Sequence, residues 1–212
     1  MKFNAEMLKA YLVGGTQDLG DPSAFLPKIE ALMKAGITAF QLREKGASRL
    51  NEDERYELAL QCKELTTKYK IPLIIDDDFP LAIKIQADGV HVGQKDRRVE
   101  AVIDAVGDDM FVGYSCNTAA EIRVANQLSQ VAYVGSGPIY PTNSKADADP
   151  AIGTTGLKNL LEVSDKPIVA IGGITEKNVA DVLATGVSGI SSISMFLNSA
   201  NIEKTMQIVL NQ

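Results

Sequence analysis

Tryptophan is missing from this chain, histidine appears once as His91, and cysteine appears only as Cys62 and Cys116. Two scattered cysteines give neither a disulfide framework nor a cysteine metal site, which implies a reducing cytoplasm. Lysine and arginine form no block and the formal net charge is −6, so a nucleic-acid groove is not expected. The first residues hold no apolar run long enough for a signal peptide or a membrane helix. No linker or low-complexity segment divides the chain, and nothing in the pattern sets an oligomeric state. What is there is ordinary for a globular protein: 45% apolar and 23% charged residues over 212 positions. The expectation is one domain, 1–212, with a sizeable core.

Short, β-branched, mostly apolar runs recur along the whole chain. They predict strands at 8–13, 37–42, 72–75, 89–92, 110–113, 131–134, 168–171 and 187–193. Helical patterns lie between them. Asp21-Pro22 starts a helix whose apolar face is Phe25, Ile29, Leu32 and Met33, and Gly36 stops it. From Asn51 a helix carries Leu58, Cys62, Leu65 and Tyr69 at spacings of four, three and four, which makes Cys62 a core residue. Short helices are expected at 80–85, 99–106 and 157–161. Thr118 and Glu121 form a capping box. Thr175 is expected to cap a helix through Val179, Val182 and Leu183, and Ile202, Met206 and Val209 mark a last one. Eight strands, each followed by a helix, close into a (β/α)8 TIM barrel of α/β class. A doubly wound open sheet is the runner-up, but no G-x-G-x-x-G follows a strand.

Sites on such a barrel lie at the C-terminal strand ends. Gln41 and Arg43 share a face of strand two, and Lys45 follows them. They form either a clamp for a multiply charged anion or a structural pair with a carboxylate of a neighbouring strand. Asp76, Asp77 and Asp78 end strand three. Alternation sets Asp77 opposite the other two unless the chain turns. The cluster is either a set of Mg²⁺ ligands, with Asp96 as a second-strand ligand, or an acidic turn capping the next helix. Strand five ends at Ser115. After strand six a glycine-rich break presents Thr142, Ser144 and Lys145, and two hydroxyls with a lysine suit phosphate oxygens. Gly172-Gly173 before Thr175 is read as bare amides at a helix N-terminus or as a tight turn. His91 lies inside an apolar strand and reads as a packed, hydrogen-bonded histidine. Cys116 has no candidate base near it in sequence.

Taken in order, several segments resemble thiamine-phosphate synthase. They are Gln41-Leu-Arg-Glu-Lys45, Ile74-Ile-Asp-Asp77, Asp88-Gly-Val-His-Val-Gly-Gln-Lys-Asp96, Gly113-Tyr-Ser115, Gly137-Pro-Ile-Tyr-Pro-Thr-Asn-Ser-Lys145, Ala170-Ile-Gly-Gly-Ile174 and the end of strand eight. The resemblance implies a Mg²⁺-dependent transferase of thiamine biosynthesis with two small-molecule substrates. A pyrimidinylmethyl group leaves its diphosphate and joins the nitrogen of a thiazole phosphate, releasing pyrophosphate. It implies that Gln41, Arg43 and Lys45 hold the pyrimidine diphosphate, helped by Ser115 and Lys145, with Arg43, Lys45 and Lys145 catalytic. It implies Asp77 and Asp96 as the Mg²⁺ ligands. Thr142, Asn143 and Ser144 would face the thiazole phosphate, with Gly173, Ile193 and Ser194 around its phosphate. Asp76 stands where the family commonly has Asn, so a donor is lost and a charge added at a position facing the pyrimidine diphosphate or the metal. Ser144 stands for a usual Thr, and Cys116-Asn117 for a His-containing run. Two alternatives remain: a thiazole tautomerase-like isomerase on the same fold, and a non-catalytic binder of a phosphate ligand.

Overall fold

The computed structural model describes residues 1–94, 98–142, 144 and 149–211. The strands are β1 (Ala10–Gly14), β2 (Ala39–Leu42), β3 (Leu73–Asp76), β4 (Gly89–Val92), β5 (Phe111–Ser115), β6 (Val131–Ser136), β7 (Ile168–Ile171) and β8 (Gly189–Ser192). They pair in sequence order, β8 returns to β1, and the result is a closed barrel. Neighbours are parallel, from Tyr11 beside Ala39 round to Tyr11 beside Ser191.

The helices outside are α1 (Phe25–Ala35), α2 (Glu52–Tyr69), α3 (Phe79–Lys84), α4 (Val99–Val106), α5 (Ala119–Gln127), α6 (Gly153–Leu161), α7 (Val179–Leu183), α8 (Ser194–Leu197) and α9 (Ile202–Leu210). Local chemistry sets their ends. Asn51 Oδ1 accepts from Glu54 N at 3.0 Å while the Glu54 carboxylate takes Asn51 N at 2.8 Å. Thr118 and Glu121 make the same reciprocal cap on α5. Gly36 ends α1 in the left-handed region at φ 109°, where a side chain is strained. None of the helices among the described residues is long and apolar enough to cross a membrane.

Several boundaries differ from the sequence reading by one to four residues, and three of the differences change how an element begins or ends. Asp21-Pro22 opens a 3-10 turn, Pro22–Ala24, that feeds into α1. The last strand is shorter than 187–193, because Ile193 already has helical backbone and leads into α8. Thr175 does not cap α7. It opens the turn that leads into it, its Oγ1 accepting from Lys177 N at 3.3 Å and its N–H donating to Asn178 Oδ1 at 2.7 Å, and the helix begins beyond Asn178. Gly172 and Gly173 therefore lie in a strand-end turn and not at a helix N-terminus.

The barrel's N-terminal mouth is plugged by the segment before β1. Phe3 stacks on Tyr133 with centroids 5.6 Å apart and meets Phe111 at 5.5 Å. A 3-10 turn, Ala5–Leu8, then lies against β8 so closely that a Cβ on Gly189 would fall 1.9 Å from the Leu8 carbonyl oxygen. Gly189→Ala is expected to destabilise the fold by about 1–3 kcal/mol through this overpacking, read as a lower urea midpoint. An unchanged midpoint would show that the plug is free to move away.

Candidate active site

The site begins at the end of β2. The chain leaves the sheet with Arg43 N bonded to Gly14 O at 2.9 Å. Glu44 then turns away from the mouth, its carboxylate accepting from Thr16 Oγ1 at 2.9 Å and from Ser48 Oγ. That anchor leaves Arg43 and Lys45, on either side of Glu44, lining the central cavity.

β3 delivers the acidic wall. Asp77 takes φ +58°, a left-handed conformation that Asp tolerates better than most residues. Its N–H still bonds His91 O at 2.9 Å. The turn brings Asp76 and Asp77, not Asp76 and Asp78, to the cavity. Asp78 goes to the helix, its Oδ1 capping Leu81 N at 3.0 Å. Asp76 Oδ2 lies 3.4 Å from Arg43 Nε and 3.3 Å from Lys45 Nζ, and Lys45 also pairs with Asp77. Both readings of the β2 cations thus meet here: they pair with a neighbouring strand's carboxylate, and they do so on the cavity wall.

These carboxylates retain unused capacity. Asp76 Oδ2 and Asp77 Oδ2 face the cations by ion pairing, and Asp77 Oδ1 is buried without a hydrogen-bond partner among the described residues. Hard carboxylate oxygens with lone pairs to spare, beside Arg43 and Lys45, fit Mg²⁺, which needs only one or two protein carboxylates plus waters and phosphates. Among the described residues there is no group of three or more ligands of this kind. Asp96 lies outside the described residues, as do Asn143 and Lys145.

The far wall comes from β4 to β8. Gln94 fixes the end of β5, donating to Ser115 O at 2.8 Å while accepting from Tyr114 Oη at 2.9 Å. Ser115 Oγ faces the cavity and lies 2.9 Å from His91 Nε2. Asn117 ties the base of the next loop: Oδ1 accepts from Gly137 N at 2.9 Å and Nδ2 donates to Asp149 at 3.1 Å. Beyond β6 the chain keeps pairing with the end of β7, through Ile139 N to Ile171 O and Tyr140 N to Gly172 O, both 3.0 Å. A Cβ on Gly173, at φ +66°, would meet Tyr140 O at 2.5 Å, so only glycine allows this approach. Thr142, Ser144, Gly173, Ile193 and Ser194 all line the same cavity.

The sequence model of the family described as thiamine monophosphate synthase matches residues 10–196. The chain belongs to the thiamine monophosphate synthase family. It is 53% identical over 211 residues to the thiamine-phosphate synthase of Limosilactobacillus fermentum, covering 99% of each chain. It is 51% identical over 212 residues to that of Limosilactobacillus reuteri. The structure of thiamine phosphate pyrophosphorylase from Pyrococcus furiosus superposes with TM-score 0.84 at 28% identity, covering 98% of this chain and 96% of that one.

In this member of the thiamine monophosphate synthase family, Arg43, Lys45, Asp76, Asp77, Ser115, Thr142, Ser144, Gly173, Ile193 and Ser194 come together as cavity wall. Gln41 does not line it. Its side chain is turned into the barrel, where Nε2 donates to Tyr11 Oη at 2.8 Å. His91, Gln94, Asn117 and Asp149 are lining residues that the sequence reading left out of the site. His91 could have been found from its place beside Asp76 on the adjacent strand, but its apolar neighbours in sequence hid it. The cysteines are inert by environment. Burial, with the Glu121 charge, pushes the Cys116 thiol up to about 12. Burial also raises Cys62, with the Glu44 charge adding to it. Iodoacetamide at pH 8 is expected to leave both unmodified in the native protein and to label both in denaturant, read by mass spectrometry. Native labelling of Cys116 would mean that the β5 end opens.

Proposed function

We propose that this chain is a thiamine-phosphate synthase. It joins 4-amino-2-methyl-5-(diphosphooxymethyl)pyrimidine to 4-methyl-5-(2-phosphoethyl)thiazole and releases pyrophosphate. The observation that carries the reading is one cavity with two facing walls. Arg43, Lys45, Asp76 and Asp77 form one, and Thr142, Ser144, Gly173 and Ser194 form the other. Family membership supports the same chemistry.

The reaction separates a diphosphate from a methylene carbon that the electron-rich aminopyrimidine stabilises as a cation. Arg43 and Lys45 neutralise charge gathering on the departing pyrophosphate. Lys145, next in sequence to Ser144, is assigned the same task. Ser115 donates to the diphosphate. Asp77, with Asp96, would hold Mg²⁺, which would supply further neutralisation of the diphosphate. Thr142, Asn143 and Ser144 orient the thiazole phosphate, and Gly173, Ile193 and Ser194 surround its phosphate. The ring nitrogen then faces the carbon without any strong base. Positioning and exclusion of water carry the rate, which agrees with inert cysteines and a histidine committed to hydrogen bonds.

Purified protein is expected to release pyrophosphate only with both substrates and Mg²⁺ present, and chelation should stop it. Binding of thiazole phosphate without release, or tautomer conversion of a thiazole substrate alone, would overturn the synthase reading. Asp76 supplies a second test. Its carboxylate competes with the incoming diphosphate for Arg43 and Lys45. Asp76→Asn is expected to lower KM for the pyrimidine diphosphate roughly five-fold, the effect of removing about 1 kcal/mol of charge repulsion. A higher KM would assign the carboxylate a binding role of its own.

A further inference from the structure

At and beneath the cavity floor the barrel interior holds a continuous line of polar side chains from five strands. Gln41 Nε2 donates to Tyr11 Oη at 2.8 Å. Tyr11 Oη lies 2.8 Å from Tyr133 Oη, and Tyr133 Oη lies 3.0 Å from His91 Nδ1. His91 Nε2 reaches Ser115 Oγ at 2.9 Å. The tyrosines are 2% and 0% exposed, so their protons have no access to water. The space for them is built in: a Cβ on Gly113 would fall 2.2 Å from the Tyr133 ring and 2.5 Å from His91 Nδ1.

Counting protons gives the line a direction. Tyr11 Oη accepts from the Gln41 amide, so its own proton must go to Tyr133. Tyr133 then accepts from Tyr11, and its proton must go to His91 Nδ1. That nitrogen is therefore the acceptor, the ring proton sits on Nε2, and Nε2–H donates to Ser115 Oγ. The opposite direction gives Tyr11 two donors and leaves its own buried proton without an acceptor, at the cost of an unmade hydrogen bond. Burial pushes both phenols up, well out of the range in which they would lose these protons.

We propose that Tyr11 and Tyr133 are positioning residues, which with Gln41 hold His91 as its Nε2–H tautomer and so turn the Ser115 hydroxyl outward as a donor to the anionic ligand. Neither tyrosine lines the cavity, so both act through His91 and Ser115. The ligand side of this assignment rests on the synthase reading; the tautomer does not.

Because His91 is the sole histidine, its two ring nitrogens give unambiguous signals in uniformly ¹⁵N-labelled full-length protein. The expected spectrum is a neutral ring protonated on Nε2. A ring protonated on Nδ1, or on both nitrogens, overturns the proposal without any substrate being present. Tyr133→Phe is expected to keep the fold by circular dichroism and to shift His91 predominantly to the Nδ1–H tautomer, whose bare Nε2 takes the Ser115 proton in a hydrogen bond. Its kcat for pyrophosphate release should fall about ten-fold, as for loss of one hydrogen bond to a charged group. Adding Ser115→Ala should cost little more, because both changes remove the same donor. A folded Tyr133→Phe protein with wild-type tautomer and kcat overturns the proposal. Absence of turnover in the unmutated protein would instead strike the synthase reading and leave the tautomer assignment standing.

Discussion

Closure of the parallel sheet is the constraint on which everything else depends. Each strand bonds to a neighbour on both sides, so the barrel leaves no edge exposed. Parallel pairing sends every strand's C-terminal end to the same mouth. Residues as distant in sequence as Arg43 and Ser194 become neighbours round one cavity. The opposite mouth is sealed by Phe3 and the 3-10 turn against β8. Stability is thus concentrated at one end and chemistry at the other.

Between the two ends the interior changes character by layers. Aromatic contacts of Phe3, Phe111 and Tyr133 fill the base. Above them the hydroxyls of Tyr11 and Tyr133, the Gln41 amide and the His91 ring satisfy one another. At the mouth the pairing is ionic and incomplete: Arg43 and Lys45 face the Asp76 and Asp77 carboxylates, and Asp77 Oδ1 is buried without a hydrogen-bond partner among the described residues. A closed network below and open valences above is how a rigid floor can carry a reactive surface.

The repeat of strand and helix was legible because strands buried on both faces must be short, apolar runs, and capping residues are local. Asn51 with Glu54, and Thr118 with Glu121, cap as their spacing implies. Thr175 looked equally good, but its Oγ1 accepts from Lys177 N in the turn that precedes α7, and the helix itself starts a turn later at Val179. The polar strand ends were legible as a set for a similar reason, since a charged residue ending an apolar strand has few places to go but the mouth. Gln41 alternates correctly with Arg43, but it lies deep enough for its Nε2 to donate to Tyr11, a contact that no local pattern shows.

The amino-acid sequence by itself determined the eight units, their parallel order and the family, since periodicity, caps and motifs are properties of contiguous residues. Tertiary structure decided which polar groups meet. The left-handed turn at Asp77 chose Asp76 and Asp77 over Asp76 and Asp78 for the cavity. Closure brought Tyr11 within hydrogen-bond distance of Tyr133, 122 positions away, and gave His91 two partners that its apolar neighbours conceal. Such contacts depend on distances across a closed interior, and no local pattern encodes those distances.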